Sequence, residues 1–411
     1  MKRYIIYILL AFASGATAQE TTRTDSLPDS IAADVLLDID YRLMEHTMQW
    51  LDTTECDAVH EVMQLPDSVY MERLCSLPYV IEMPYNPLIK RYIEIYVNER
   101  PKQVARLKRL SEYYFPIFED ALHRHGLPEE LKYLPVIESG LFAQAHSPMG
   151  AAGLWQFMPS TAKGYGLEVN SLVDERLDPL KSTEAACKFL RHLYNIYQDW
   201  NLAIAAYNCG PGNVNKAIHR ANGERDFWSI FPFLPKETRS YLPLFIAANY
   251  AMNFADEHNI CPAERIFPIA TDTIATDKRQ HLLQVATVLD IDIKELRRLN
   301  PQYQLDVLPG GKIYALCLPQ EKTAVYIALE DSVVAYKADS LINNRRKQIE
   351  LAQKTSADGY SVNGITYYKI KEGDTLSGIA KKFRCSVAQL QRWNSLKTTN
   401  IRAGKTLKIH R

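Results

Sequence analysis

The chain has 411 residues, too many for one ordinary hydrophobic core, so its length predicts two to four domains. Its residues are 47% apolar and 23% charged, which excludes a disordered or collagen-like chain. Its formal net charge of zero argues against a protein built around nucleic acid or another polyanion.

The chain opens on MKRYIIYILLAFASGATAQ. Lys2 and Arg3 precede an apolar run over about residues 4–13, and Ala16-Thr17-Ala18 forms a small-residue cleavage site. This is the pattern of a secretory signal peptide over residues 1–18. An uncleaved anchor is the alternative, weakened by the shortness of the run. No Cys follows closely enough for a lipid-modified terminus, and no later run is long enough to span a membrane. The expectation is an exported protein, with peripheral membrane association left open. Export permits disulfides. Seven scattered cysteines leave at least one unpaired within a monomer, and none forms a CxxC pair. Most read as small buried hydrophobes, and a Cys56–Cys75 bridge is neither required nor excluded.

Residues 19–35 are polar, and residues 36–100 mix helical stretches with Pro-broken turns; 19–84 is set apart as a partly helical N-terminal extension. Residues 102–125 carry the period of a long amphipathic helix, closed by Gly126. Pro128 starts the next helix, with Glu129 and Glu130 where the helix dipole favours acids. In it Leu131, Leu134, Glu138 and Leu141 share one face, so Glu138 sits on a buried stripe. Burial there raises its affinity for a proton. A further helix is predicted after Ser182 and Thr183, with Ala186, Phe189, Leu190 and Leu193 inward. Short helices follow at about 201–207, 212–221 and 236–255. The block 85–257 therefore reads as an all-α globule with a loop-lined groove.

The C-terminal part repeats itself. HLLQVATVLDIDIKELRRLN (281–300) aligns without gaps on TLSGIAKKFRCSVAQLQRWN (375–394), pairing Leu282 with Leu376 and Asn300 with Asn394. Each copy reads as a β-α-α-β module, at 262–320 and 365–411. Residues 321–364 are a linker with a helix.

The chemistry is acid–base. HExxH, Gly-x-Ser-x-Gly and Cys/His metal spacings are missing, so neither a metal nor another cofactor is expected. CGPGN (209–213) lacks the Lys and Ser/Thr of a phosphate loop, which argues against nucleotide binding. A carboxyl held protonated on an apolar stripe suits general acid catalysis. ESGLFAQAHSPMGAAGLWQFMPSTAKGYGL, AIAAYNCGPGNVNKA and KETRSYLPLFIAA, in that order, closely resemble lytic murein transglycosylases of the soluble type, which have a goose-lysozyme-like fold. Order and spacing are most similar to the membrane-bound D subgroup. YYKIKEGDTLSGIAKKF…NSL…IRAGKTLKI resembles a LysM domain, and the 266–317 unit resembles a degenerate one without the Gly-Asp-Thr signature. The implied fold is a mainly α lysozyme-like domain with small β-α-α-β LysM modules.

The resemblance implies that Glu138 is the single catalytic acid/base. It places Ser139, Ser147, Gln156 and Met158 along the sugar groove. Tyr207 and Asn208 would orient the substrate acetamide, and Tyr241 would close the centre. Gly373, Asp374, Thr375, Leu376 and Asn394 would carry the glycan-binding face of the LysM domain. Trp155, Tyr165 and Tyr207 are candidates for stacking on sugars, and the Gly/Ala loop 150–153 for close approach of the backbone to the glycan. Asp174 and Glu184 read as surface acids, leaving no second carboxylate. The expected partner is the peptidoglycan glycan strand, cleaved non-hydrolytically to an anhydro end. A hydrolytic muramidase and a non-catalytic wall-binding protein are the alternatives.

Overall fold

A computed structural model of the protein describes residues 64–268, 270–343, 359–362, 365–394, 396, 398–402 and 404–410. The signal-peptide stretch and Cys56 lie outside these residues.

Ten helices build the larger unit: α1 (Asp67–Ser76), α2 (Pro87–Glu94), α3 (Pro101–Arg124), α4 (Leu134–Ser139), α5 (Pro159–Gly164), α6 (Pro179–Tyr197), α7 (Trp200–Cys209), α8 (Pro211–Arg220), α9 (Phe227–Ile230) and α10 (Lys236–Asn253). The period of 3.6 seen in the sequence is realised in α3, whose Val104, Leu107, Leu110, Tyr114, Phe118 and Leu122 are buried. The central element is α10. Every residue from Ser240 to Met252 is buried, and α2, α4, α7 and α3 pack around it. A helix apolar all round is what a surrounded position demands.

Three local expectations are corrected. First, the helix carrying Glu138 is short. A 3-10 turn covers Glu129–Tyr133, and the ladder restarts at α4 because Pro135 has no N–H to give to Leu131. Gly140 and Leu141 then take left-handed backbone, with φ of 58° and 57°, and end the helix directly after Ser139. Second, α6 starts at Pro179, ahead of Ser182. Its cap is Asp178, whose side chain accepts from the amides of Leu180 and Lys181, both at 3.0 Å. Third, residues 67–84 are not a separate extension. Tyr70, Leu74 and Ile81 belong to the same core as α10, and Arg73 Nη1 donates to Tyr250 Oη at 2.8 Å.

The next unit comprises β1 (Thr271–Thr276), β2 (Gln280–His281), α11 (Leu282–Leu289), α12 (Ile293–Leu299), β3 (Val307–Leu308) and β4 (Tyr314–Pro319). β1 and β4 pair antiparallel from Thr271↔Pro319 to Thr276↔Tyr314. The following helix, α13 (Gln320–Ala335), buries Tyr326 and Val333 in the same core, so the module continues to Ala335 where a linker was expected. The terminal unit has a three-stranded antiparallel sheet, β5 (Gly359–Val362), β6 (Ile365–Lys369) and β7 (Thr406–His410), with α14 (Leu376–Lys382) and α15 (Val387–Asn394). β5 adds an edge strand to the expected β-α-α-β.

The repeat has a physical signature. Asn300 ends α12, donates to the carbonyls of Leu296 and Cys317, and accepts from the Cys317 amide. Asn394 ends α15 and does the same with Leu390 and Lys408. In each module one amide side chain staples the second helix to the last strand. No disulfide joins the six described cysteines. No described helix is long and apolar enough to cross a membrane.

Candidate active site

Glu138 is the penultimate residue of α4, and α10 runs beside it. The fully buried Tyr241 of α10 donates its hydroxyl to Glu138 Oε1. The Glu138 side chain keeps a partly open face, although protein surrounds its carboxyl. Burial pushes that carboxyl up to about 7, against the hydrogen bond from Tyr241, which favours the charged form. Tyr241 and Tyr207 are both held well above the ordinary phenol value, by burial first and the Glu138 charge second. The two phenols therefore stay protonated beside it. Tyr207 comes from α7, and its hydroxyl donates to the Trp155 carbonyl at 2.7 Å. Its neighbour Asn208 accepts from Thr238 Oγ1 at 2.8 Å, which fixes the orientation of the amide.

The segment after Glu138 folds back on itself through bridges His146↔Ala152 and Ala152↔Phe157. Ser147 Oγ accepts from the Ala151 amide at 3.0 Å and pins the turn. Gln156, with φ of 47°, donates to the Gly153 carbonyl at 2.8 Å. Met158 is 41% exposed and available to a ligand.

Several expected roles change. Ser139 is 0% exposed, and its hydroxyl donates to the carbonyls of Pro135 and Leu154, so it ties α4 to the loop and does not face a ligand. Trp155 is also 0% exposed. It packs edge-on to Phe118 at 5.4 Å and donates to Thr183 Oγ1 at 2.9 Å, so stacking on a sugar is excluded. Gly153 is required by protein, not by glycan: a Cβ there would lie 1.8 Å from the Arg176 carbonyl. Asp174 is buried, paired with Arg176 Nη2 at 2.7 Å. Glu184 is half-buried and bonded to Arg124 and His125.

The residue missed in the sequence is Arg176. It grips Asp174 with Nε and Nη2, while Nη1 donates to the carbonyls of Gly150 at 2.7 Å and Phe157 at 3.0 Å. One guanidinium thus fastens both ends of the loop that carries Gln156. Asp-x-Arg ahead of the α6 cap was its visible trace.

In the terminal module Asp374 accepts from the Lys371 amide at 2.8 Å and the Tyr368 hydroxyl at 2.7 Å, which hold its carboxyl below the usual range. Thr375 caps α14 by accepting from the Gly378 amide. Leu376 is buried and Asn394 is the staple, so both hold the module together. Gly373, at φ 86°, and Thr375 remain exposed. Among the described residues no cluster of three or more His, Cys, Asp or Glu is placed to hold a metal ion.

Comparison with known proteins matches three segments of the chain. Residues 115–230 match the transglycosylase SLT domain, 270–335 the LysM-like domain of lytic transglycosylase MltD, and 368–410 the LysM domain. The membrane-bound lytic murein transglycosylase D of Escherichia coli K12 is 29% identical over 332 residues, covering 80% of this chain and 70% of its own. The soluble lytic murein transglycosylase of that strain is 30% identical over 148 residues, 33% of this chain and 23% of its own. The crystal structure of the 70-kDa soluble enzyme from Escherichia coli superposes with a TM-score of 0.32 at 21% identity, over 43% of this chain and 34% of that one. The chain carries a transglycosylase SLT domain followed by a LysM-like module of the MltD type and a LysM domain, and over 80% of its length it is similar to a lytic murein transglycosylase.

Proposed function

We propose that Glu138 cleaves the bond between N-acetylmuramic acid and N-acetylglucosamine in peptidoglycan by acting twice. As an acid it gives its proton to the glycosidic oxygen while the C1–O bond breaks. The muramoyl acetamide carbonyl closes on C1 in its place. As a base it then takes the proton of the same sugar's C6 hydroxyl, whose oxygen attacks C1 and releases the acetamide. The product carries a 1,6-anhydro end, no water is consumed, and Glu138 regains its proton.

The observation that carries this reading is the solitude of Glu138. Burial and Tyr241 are the two influences on its proton affinity, with no neighbouring carboxylate among them. A glycosidase that uses a nucleophilic second carboxylate holds it about 5–5.5 Å from the acid, close enough to register. Asp174 is committed to Arg176 and Glu175 to Lys181. The substrate itself is left to supply the second group. A value of about 7 suits a residue that must give and take a proton near neutrality.

The remaining assignments follow the geometry. Tyr241 steers the carboxyl. Tyr207 and Asn208 hold the acetamide, with Ser147, Gln156 and Met158 along the groove. The catalytic unit spans 67–257, the LysM-like module 262–335 and the LysM domain 365–411. The LysM domain raises the local concentration of glycan through Gly373 and Thr375. The N-terminal sequence directs export to the bacterial envelope.

Mass spectrometry of digested sacculi tests the chemistry. Anhydro ends are expected, and Glu138→Gln abolishes them. Reducing ends, heavier by one water, would convict the protein as a hydrolase. Deleting 365–411 lowers retention on sacculi while turnover of soluble fragments persists; unchanged retention would refute the targeting role.

A further inference from the structure

Arg106 on α3 and Arg298 on α12 belong to different units, yet they line one cavity of about 80 Å³. Its other walls include Leu110, Tyr114, Phe142 and Phe267, all apolar surfaces. The Nε atoms of both arginines are buried and have no hydrogen-bond partner among the described residues. Burial pulls the Arg106 guanidinium down, and no carboxylate offsets that effect. Elsewhere at this interface arginine is answered: Arg109 donates to the Ala263 carbonyl and pairs with Glu112.

Two buried Nε–H donors without partners on one largely apolar cavity are unfavourable by themselves, through lost hydration and the like charge of their guanidinium groups. An anion reverses both terms, and a planar carboxylate matches the guanidinium fork. The size of the cavity narrows the choice further. At about 80 Å³ the cavity admits only a small group. That is a carboxylate and a methyl group, with the rest of the molecule outside.

We propose that this interdomain cavity binds a carboxylate carried on a small aliphatic group, the chemistry of an alanine-terminated peptide. The segment Leu141–Gln144, which leaves the Glu138 helix, forms part of its wall. An occupant therefore touches the catalytic segment and the LysM-like module together. Two sources share this chemistry: stem peptides on the glycan strand, and free short-chain acids. Stem peptides are the source if the peptidoglycan reading holds, and that part of the proposal rests on it.

Calorimetric titration of the full chain tests the site. D-alanyl-D-alanine is expected to bind saturably, its C-terminal amide not at all. The Arg106→Gln/Arg298→Gln variant binds the dipeptide about tenfold more weakly, or not measurably. Acetate binding as tightly as the dipeptide supports the site and assigns it to free acids. Equal binding of acid and amide by the unmodified protein overturns the proposal without recourse to a variant. So does the absence of saturable binding, or binding that the double substitution leaves unchanged. Turnover is read in parallel on peptide-bearing and peptide-stripped strands. The variant raises KM severalfold on the first and leaves the second unchanged. Failure of the unmodified protein to cleave either strand would refute the proposed function and leave the titration result standing.

Discussion

Glu138→Gln keeps the shape of the side chain and removes its titration. In the fold this carboxyl is held at about 7 against an ordinary 4.5. A folded-state value above the unfolded one means that the native state binds the proton more tightly. Glu138 therefore contributes stability fully present below pH 4.5 and lost as pH rises through 7. At about 1.36 kcal/mol per unit, that interval corresponds to about 3 kcal/mol. The partly open face of the side chain and the weaker hydrogen bond from Tyr241 to a neutral amide reduce the expected figure to about 2–3 kcal/mol. The variant lacks this loss. Relative to the native protein it gains stability from pH 5 to pH 8, while its activity disappears. Hydrogen exchange of the α10 amides reports the catalytic unit separately from the LysM modules and is the suitable assay. Parallel pH dependence in the two proteins would refute the reasoning, as would a gap that widens toward acid.

Tyr241→Phe removes the one hydrogen bond that favours the charged carboxyl, so the alkaline limb of kcat/KM moves up by about one pH unit. An unmoved limb would show that Tyr241 does not set the proton affinity of Glu138. Arg176→Ala leaves Asp174 buried and unpaired and frees two loop carbonyls; a loss of about 3–5 kcal/mol is expected in urea unfolding, partly restored by adding Asp174→Asn. Asn394→Ala removes the staple between α15 and β7. It lowers sacculus retention in a pull-down while leaving turnover of soluble fragments intact.

The proposed catalytic carboxyl was legible because helical periodicity places Glu138 on a buried stripe from local sequence alone. Its isolation was legible by omission of a second acid from the motifs. The partners were not legible in the same way. Asp174 looked like a surface acid because its partner Arg176 lies only two residues away, a spacing at which helical residues do not face each other. The bond to the Gly150 carbonyl spans 26 residues, and no local pattern encodes it. Trp155 looked like a sugar platform because an aromatic in a Gly-rich loop reads as exposed. Phe118 and Thr183, from α3 and α6, enclose it instead. The same limitation applied to α13. The internal repeat ends ahead of it, and Tyr326 and Val333 commit it to the module core.

The long-range contacts converge on one strap, residues 168–178. Within it, Val169 bridges Asp174, and the Glu175 amide donates to the Glu168 carbonyl at 2.8 Å. Its outer edge belongs to the LysM-like module. The Asp174 amide donates to the Gln302 carbonyl at 2.9 Å, the Gln304 amide to the Leu172 carbonyl at 2.8 Å, and Lys312 pairs with Glu168. Leu172 and Val173 are buried in the core of that module, not in the core around α10. The inner edge belongs to the glycan loop, through Arg176 and the tight fit of Gly153. The strap therefore contacts both the module and the loop that follows Glu138. Asp174 and Arg176, which share one buried ion pair, join the two edges. The LysM-like unit, which lacks the Gly-Asp-Thr turn that the terminal domain retains, is thus fastened to the catalytic domain through backbone pairing, an ion pair and the buried Leu172 and Val173.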